Sequence, residues 1–209
     1  MMSHVKRIEA INDELIALRR ELHAHPETGF QEFYTADVVA RYLEASGYEV
    51  TTGIGGAGVM GLLRGAKPGR TFALRACLDA LEIEEQTSVA YASQNPGCMH
   101  ACGHDGNMTV TLGAAKILAS ERATLAGNIK VIMQPSEENT GGASAMIAAR
   151  KACLPSWRDR SWRAAIFLKF LCTVKRGTAP GRISRSIRCR SRRNSFWRCR
   201  QLSHAALTR

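Results

Sequence analysis

Acidic side chains disappear from the end of this 209-residue chain: Asp159 is the last, whereas residues 151–209 carry 16 Lys+Arg. Residues 1–150 hold 13 Lys+Arg against 17 Asp+Glu, so the formal net charge of +11 joins a stretch of −4 to one of +15. Long apolar runs are missing as well. The most apolar late stretch, residues 164–174, is interrupted by Lys169 and falls far short of the roughly 20 residues that cross a bilayer. The opening MMSHVKRIEAINDEL is polar and has no apolar core of the signal-peptide kind. Aromatics are few, at 6%, and all three tryptophans sit in 151–209 with four of the seven cysteines. An odd cysteine count without a signal peptide predicts reduced thiols in a cytoplasmic protein with no membrane partner, not a disulfide framework. What remains, 45% hydrophobic and 22% charged, suits a globular domain large enough to bury a core without metal or disulfide staples.

Residues 1–150 alternate helical and extended patterns. Ile8, Ile11, Leu15, Leu18 and Leu22 recur at three- and four-residue steps and predict a helix over 5–23, stopped near Pro26. A second helix is predicted over 32–46, with Phe33, Val39, Ala40 and Leu43 on its apolar side and Gly47 as its C-cap. Residues 48–52 and 59–63 read as strands about a glycine-rich turn, and KPG (67–69) reads as a turn before a strand over 71–76. A helix follows over 107–120, then IKVIMQ (129–134), an apolar run suited to a strand covered on both faces. A last helix opens near 141–142 and runs towards 150. Strands alternating with helices predict an α/β sheet flanked on both sides, with ligands beyond the carboxyl ends of its strands.

Two polar segments fall at such ends. In CMHACGHD (98–105), four potential metal donors lie within seven residues. Thiolate and imidazole suit zinc and similar borderline metals. A closed structural site, buried thiols beside satisfied histidines, and an open catalytic site completed from elsewhere are the alternatives. QPSEEN (134–139) supplies an elsewhere: Glu137 and Glu138 follow the buried strand directly. Adjacent carboxylates are commonly just solvated. Aimed at a crevice, one can bind metal while its neighbour moves a proton. Asp79, in RACLDAL (75–81), reads either as a carboxylate orienting a metal-bound histidine or as a cap. His23 and His25, at a helix end, read as partners of the last carbonyls. GIGGAG (53–58) fits G-x-G-x-x-G, but no helix can open before KPG, which removes the dinucleotide reading.

Together, RRELHAHPETGFQE (19–32), LRACLDAL (74–81), MHACGHD (99–105), LGAAKIL (112–118) and QPSEENTGGASAMI (134–147) resemble the metal-dependent amidohydrolases and metallopeptidases that include hippurate hydrolase, N-acyl-amino-acid amidohydrolases and indole-acetyl-amino-acid hydrolases. The resemblance implies a zinc-exopeptidase-like mixed sheet flanked by helices, interrupted in the family by a smaller lid domain. It implies that Cys102, His104 and Glu138 bind a divalent transition metal (Zn, Mn, Co or Ni), with up to two ions per site in intact relatives. It implies Glu137 as general base and a small N-acyl amino acid as substrate, in enzymes that form homodimers or tetramers.

The departures carry their own expectations. Cys77 and Glu82 replace an Asp and a Pro of RADMDALP, and Asn107 replaces a His. No histidine follows the glutamate pair until His204, so the second metal position lacks its histidine. The chain reads as residues 1–150 of an incomplete catalytic domain joined to a basic, poorly patterned segment, 151–209. A coding frame that departs from the family near 150–168 accounts for that segment, with weak or absent activity as the result. The alternative is a basic-tailed protein that binds nucleic acid or an anionic surface without catalysis.

Overall fold

The structure, a computed structural model, describes residues 4–139 and 141–153. The basic segment from 154 onward, and with it most of the expected second region, lies outside the described residues. The chain order is α1 (His4–Ala24), α2 (Phe33–Ala45), β1 (Glu49–Ile54), β2 (Gly58–Arg64), β3 (Lys67–Cys77), α3 (His104–Ser120), β4 (Ala126–Gln134) and α4 (Gly142–Cys153). The four strands form one mixed sheet in the order β1-β2-β4-β3. β1 pairs antiparallel with β2, β2 antiparallel with β4, and β3 parallel with β4. This is the α/β fold that the alternating patterns lead one to expect, with the mixed sheet that the family resemblance implies.

Side-chain alternation along the strands builds two cores. Val59 and Leu63 of β2, Ala76 of β3, and Ile129, Val131 and Met133 of β4 face the larger core, where Val39 and Leu43 of α2 and Met108 and Leu112 of α3 cover them. Met60 and Ile132 point the other way and meet Ile54 and Met146 of α4. Both faces are therefore covered, which is why β4 is buried from Ile129 to Gln134 and mostly apolar there. Tyr48 is buried in the larger core with its hydroxyl satisfied by the Ala115 carbonyl at 3.0 Å. α1 rests on α3 where Gly113 leaves room for Leu15; a Cβ at Gly113 would lie 2.8 Å from the leucine Cδ1.

Three expectations need correction. Phe33 is 61% exposed; it opens α2 on the solvent side, and Thr35, Ala36 and Val38 take up the buried face instead. KPG (67–69) is not a turn but part of β3, where the pairing with β4 shifts register between Lys67 and Thr71. Proline is tolerated there because β3 is an edge strand. α3 begins at His104, three residues earlier than its apolar periodicity suggests, after Gly103 turns the chain with φ 83°. GIGGAG, by contrast, is a hairpin turn: Ile54 pairs with Gly58, and strand is followed by strand.

Candidate metal centre

The site lies at the carboxyl ends of the two parallel strands. Pairing of β3 with β4 continues past the last ladder residue, with the Leu78 N–H donating to the Gln134 carbonyl at 2.8 Å. Asp79 thus leaves β3 beside the segment that leaves β4. The long connection then returns: Leu81 and Met99 exchange two backbone hydrogen bonds of 3.0 Å each. That isolated bridge brings Cys98 to Asp105 back over the strand ends. Sequence separation is large, but the topology makes the segments neighbours.

His104 is the hinge of the arrangement. Its Nδ1 donates to the Asp79 carbonyl at 2.7 Å and lies 3.3 Å from Asp79 Oδ1. A carbonyl can only accept, so the proton sits on Nδ1 and the neutral ring keeps its Nε2 lone pair. Nε2 points to Glu138 Oε1 at 3.8 Å. One donor atom each from Cys102, His104 and Glu138 lie within 4.8 Å of one another. Bonds of about 2.0–2.2 Å at tetrahedral angles set a nitrogen and an oxygen donor roughly 3.3–3.5 Å apart, so the His104–Glu138 pair, 3.8 Å apart, closes by a few tenths of an ångström to share an ion. A soft thiolate, an imidazole and a carboxylate, with Glu138 exposed to solvent, make a donor set suited to a borderline divalent ion with an open position. The residues present fit the metal.

Cys77, Asp79 and His104 form a second group of donors within the same limit, all three buried. Asp79 of this group already holds the Nδ1 of His104. Two ring nitrogens with opposite duties favour Cys102, His104 and Glu138 as the ion-binding set.

Asp79 is 1% exposed and does two jobs at once. Its Oδ2 accepts the Glu138 N–H at 2.7 Å while Oδ1 faces His104. Burial works against its charge, but the His104 ring and the Glu138 amide outweigh that and hold the carboxyl below its ordinary range. Burial likewise works against His104 as a cation, yet the carboxylate and carbonyl of Asp79 and the charge of Glu138 raise it above an ordinary histidine. Glu137 turns away from Glu138 to an Arg75 guanidinium nitrogen 3.8 Å from its Oε1. Arg75 itself is braced by two hydrogen bonds to Gln134 Oε1, at 2.9 and 3.1 Å.

The residues singled out from the sequence, Cys102, His104, Glu137, Glu138 and Asp79, lie together at one end of the sheet. Arg75 was not among them, although a lone arginine inside the apolar strand FALRAC was a visible signal. His25 does donate to a terminal helix carbonyl, that of Glu21 at 2.9 Å. His23 does not: its Nδ1 donates to Asp105 Oδ2 at 2.8 Å and its Nε2 lies 3.3 Å from Glu85 Oε1. Arg19 Nε donates to the same Asp105 oxygen at 2.9 Å. This pins α1 to the first turn of α3 behind the metal donors. His100 is buried with neither ring nitrogen bonded, and burial pulls its pKa down to about 4.

Known proteins share this arrangement of sequence. The chain is 44% identical to an N-acyl-L-amino acid amidohydrolase of Geobacillus stearothermophilus over 147 residues, covering 69% of this chain and 40% of that protein. It is 42% identical to a hippurate hydrolase of Campylobacter jejuni over 146 residues, covering 70% and 38% respectively. The crystal structure of Bacillus subtilis YXEP, a dinuclear metal-binding peptidase of the M20 family, superimposes with a TM-score of 0.65 at 39% identity, covering 69% of this chain and 41% of YXEP. The chain therefore spans about two fifths of the length of the relatives it matches. The sequence pattern of Peptidase family M20/M25/M40 matches residues 73–182, from inside β3 through the candidate donors and beyond α4. With more than half the chain inside that match, the protein belongs to peptidase family M20/M25/M40.

Proposed function

We propose that the chain carries a divalent transition-metal centre held by Cys102, His104 and Glu138, and that it hydrolyses the amide bond between an acyl group and an amino acid, with Glu137 as the proton carrier. The observation that carries this is the convergence of one sulfur, one nitrogen and one carboxylate oxygen within 4.8 Å at the ends of β3 and β4. The names of the relatives, an N-acyl-L-amino acid amidohydrolase and a hippurate hydrolase, support the substrate class.

When bound, a divalent ion supplies Lewis acidity that makes water a nucleophile at neutral pH and polarises a carbonyl. The residues divide the remaining work. Asp79 keeps the His104 proton on Nδ1, so Nε2 is available as a donor. Arg75 lies alongside Glu137, a guanidinium nitrogen 3.8 Å from its Oε1, and helps to fix where that carboxylate sits. Glu137 accepts a proton as water oxygen bonds to the acyl carbon, then delivers it to the nitrogen as the C–N bond breaks. The products are a carboxylic acid and a free amine, and the carboxylate of Glu137 is restored.

Metal analysis tests the first half. Purified chain should retain about one transition ion, the occupancy expected of three protein donors, and lose it in Cys102→Ser and His104→Ala. Hydrolysis of hippurate and N-acetyl amino acids tests the second: Glu137→Gln should abolish turnover while keeping the ion. An ion that persists without His104, or turnover that survives without Glu137, overturns the reading.

A further inference from the structure

Glu32 ends the loop before α2 and is fully buried, at 0% exposure. An acid at such depth without an ion pair demands a reason, since burial disfavours its charge. Its Oε1 accepts the backbone N–H of Ser136 at 2.7 Å, while Oε2 has no hydrogen-bond partner. Burial raises its carboxyl above the ordinary range, and the Ser136 amide pulls partly the other way.

Ser136 is itself unusual. Its φ of 45° lies in the left-handed region, which residues with a Cβ avoid. It is buried and directly precedes Glu137 and Glu138. The loop carrying Glu32 is shaped around it: a Cβ on Gly29 would come within 2.6 Å of the serine Oγ. Two residues on, the Glu138 N–H is held by Asp79 Oδ2 at 2.7 Å. Two buried carboxylates from separate segments, the loop before α2 and the end of β3, therefore grip alternate amides of Ser136-Glu137-Glu138.

We propose that Glu32 is a positioning residue for the acid pair: by holding the Ser136 amide it sets the direction in which Glu138 meets Cys102 and His104. This rests on the metal reading above, and acts through reach, not through charge.

The test uses the full chain and Co(II) as the probe, followed by its thiolate charge-transfer and d–d absorption. Glu32→Gln keeps the length of the acceptor and loses the charge; Glu32→Asp keeps the charge and withdraws the acceptor by one methylene. Co(II) affinity should fall about tenfold or more in Glu32→Asp, in the range of lost outer-shell support, and stay within about threefold in Glu32→Gln. The charge-transfer band from Cys102 should remain in both. Placed on a Glu138→Ala background, Glu32→Asp should cost less than about twofold further, because its route to the ion is already gone. Full additivity, or equal affinity for Glu32→Asp and the parent, overturns the proposal.

A readout without metal separates the two claims. In the ion-free chain, Glu32→Asp should speed amide exchange at residues 136–138 and leave β4 protected. Should the parent bind no Co(II), the metal reading fails, and this exchange measurement decides alone: unchanged protection at 136–138 overturns the role of Glu32, and selective loss upholds it.

Discussion

Replacing Asp79 tests how much of the site's order resides in one buried carboxylate. Asp79→Ala removes the acceptor of the Glu138 N–H and the negative charge 3.3 Å from His104 Nδ1. It leaves the main-chain carbonyl that takes the His104 proton, so the tautomer survives and the damage is confined to two interactions. A hydrogen bond to a buried charged group contributes about 1.5–3 kcal/mol, and a broken buried pair costs about 3–5 kcal/mol in all. The expected loss is therefore about 3–4 kcal/mol, a large share of a typical domain's 5–15 kcal/mol. Asp79→Asn keeps an oxygen for the Glu138 amide and should lose about half as much.

Urea denaturation of the ion-free chain reads this as a fall in midpoint at constant slope. The pH dependence has a definite sign. The Asp79 carboxyl is held down, so its contribution is present above the unfolded value near 4 and fades as acid carries pH through the lower folded value. The His104 ring is held up, so its share is complete below about 6.5 and fades as pH rises through the raised folded value. The gap between parent and Asp79→Ala should be widest between about pH 4 and 6.5. An alanine variant within about 1 kcal/mol of the parent across that window, or an asparagine variant as damaging as alanine, refutes the reasoning.

His100 depends on pH in the sense opposite to His104. Its neutral ring is buried with a pKa near 4, so the unfolded chain takes up its proton first, and stability should fall by up to about 3 kcal/mol between pH 6.5 and 4. His100→Phe, which removes two unbonded buried nitrogens, should match the parent at pH 7 and flatten that slope; parallel losses in both chains argue against it. Met146 anchors α4 through Ile54, Met60 and Ile132; Met146→Ala should cost about 2–4 kcal/mol and expose α4 amides to exchange before those of β4. At Gly142 an added Cβ would fall 1.7 Å from the Pro135 carbonyl oxygen, so Gly142→Ala should displace the segment carrying the acid pair and weaken Co(II) binding, and an unchanged affinity would show that the segment yields freely.

What could be read in advance was whatever repeats or clusters locally. The helical spacing of Leu15, Leu18 and Leu22 and the apolar run of β4 report burial that a neighbouring element supplies, so their pattern survives without knowing which neighbour. Cys102, His104 and the paired glutamates stand out because donors of one chemistry crowd a short stretch. His104 opens α3, yet the helix start was hidden: glycines at 103 and 106 surround it, and apolar periodicity begins only later. Glu32 and His23 were opaque for another reason. Their partners, Ser136 and Asp105, are 104 and 82 residues away, and a single acid or histidine gives no local sign of so distant a bond. Phe33 misled because an aromatic at the start of a helix carries no instruction about which side faces water.

The parallel pairing of β3 with β4 has a consequence for how the binding centre comes into being. Parallel neighbours cannot be joined by a tight turn, and here the link runs from residue 78 to residue 125. The thiol and imidazole ride on that link, whereas the carboxylate follows β4. In chain order Cys102 and His104 precede the acid pair, and Asp79, which precedes both, sits on the Nδ1 side of the ring. On the proposed metal reading, the three donors meet only once β3 and β4 have paired, and a chain that registers β4 wrongly loses the donor cluster together with its sheet.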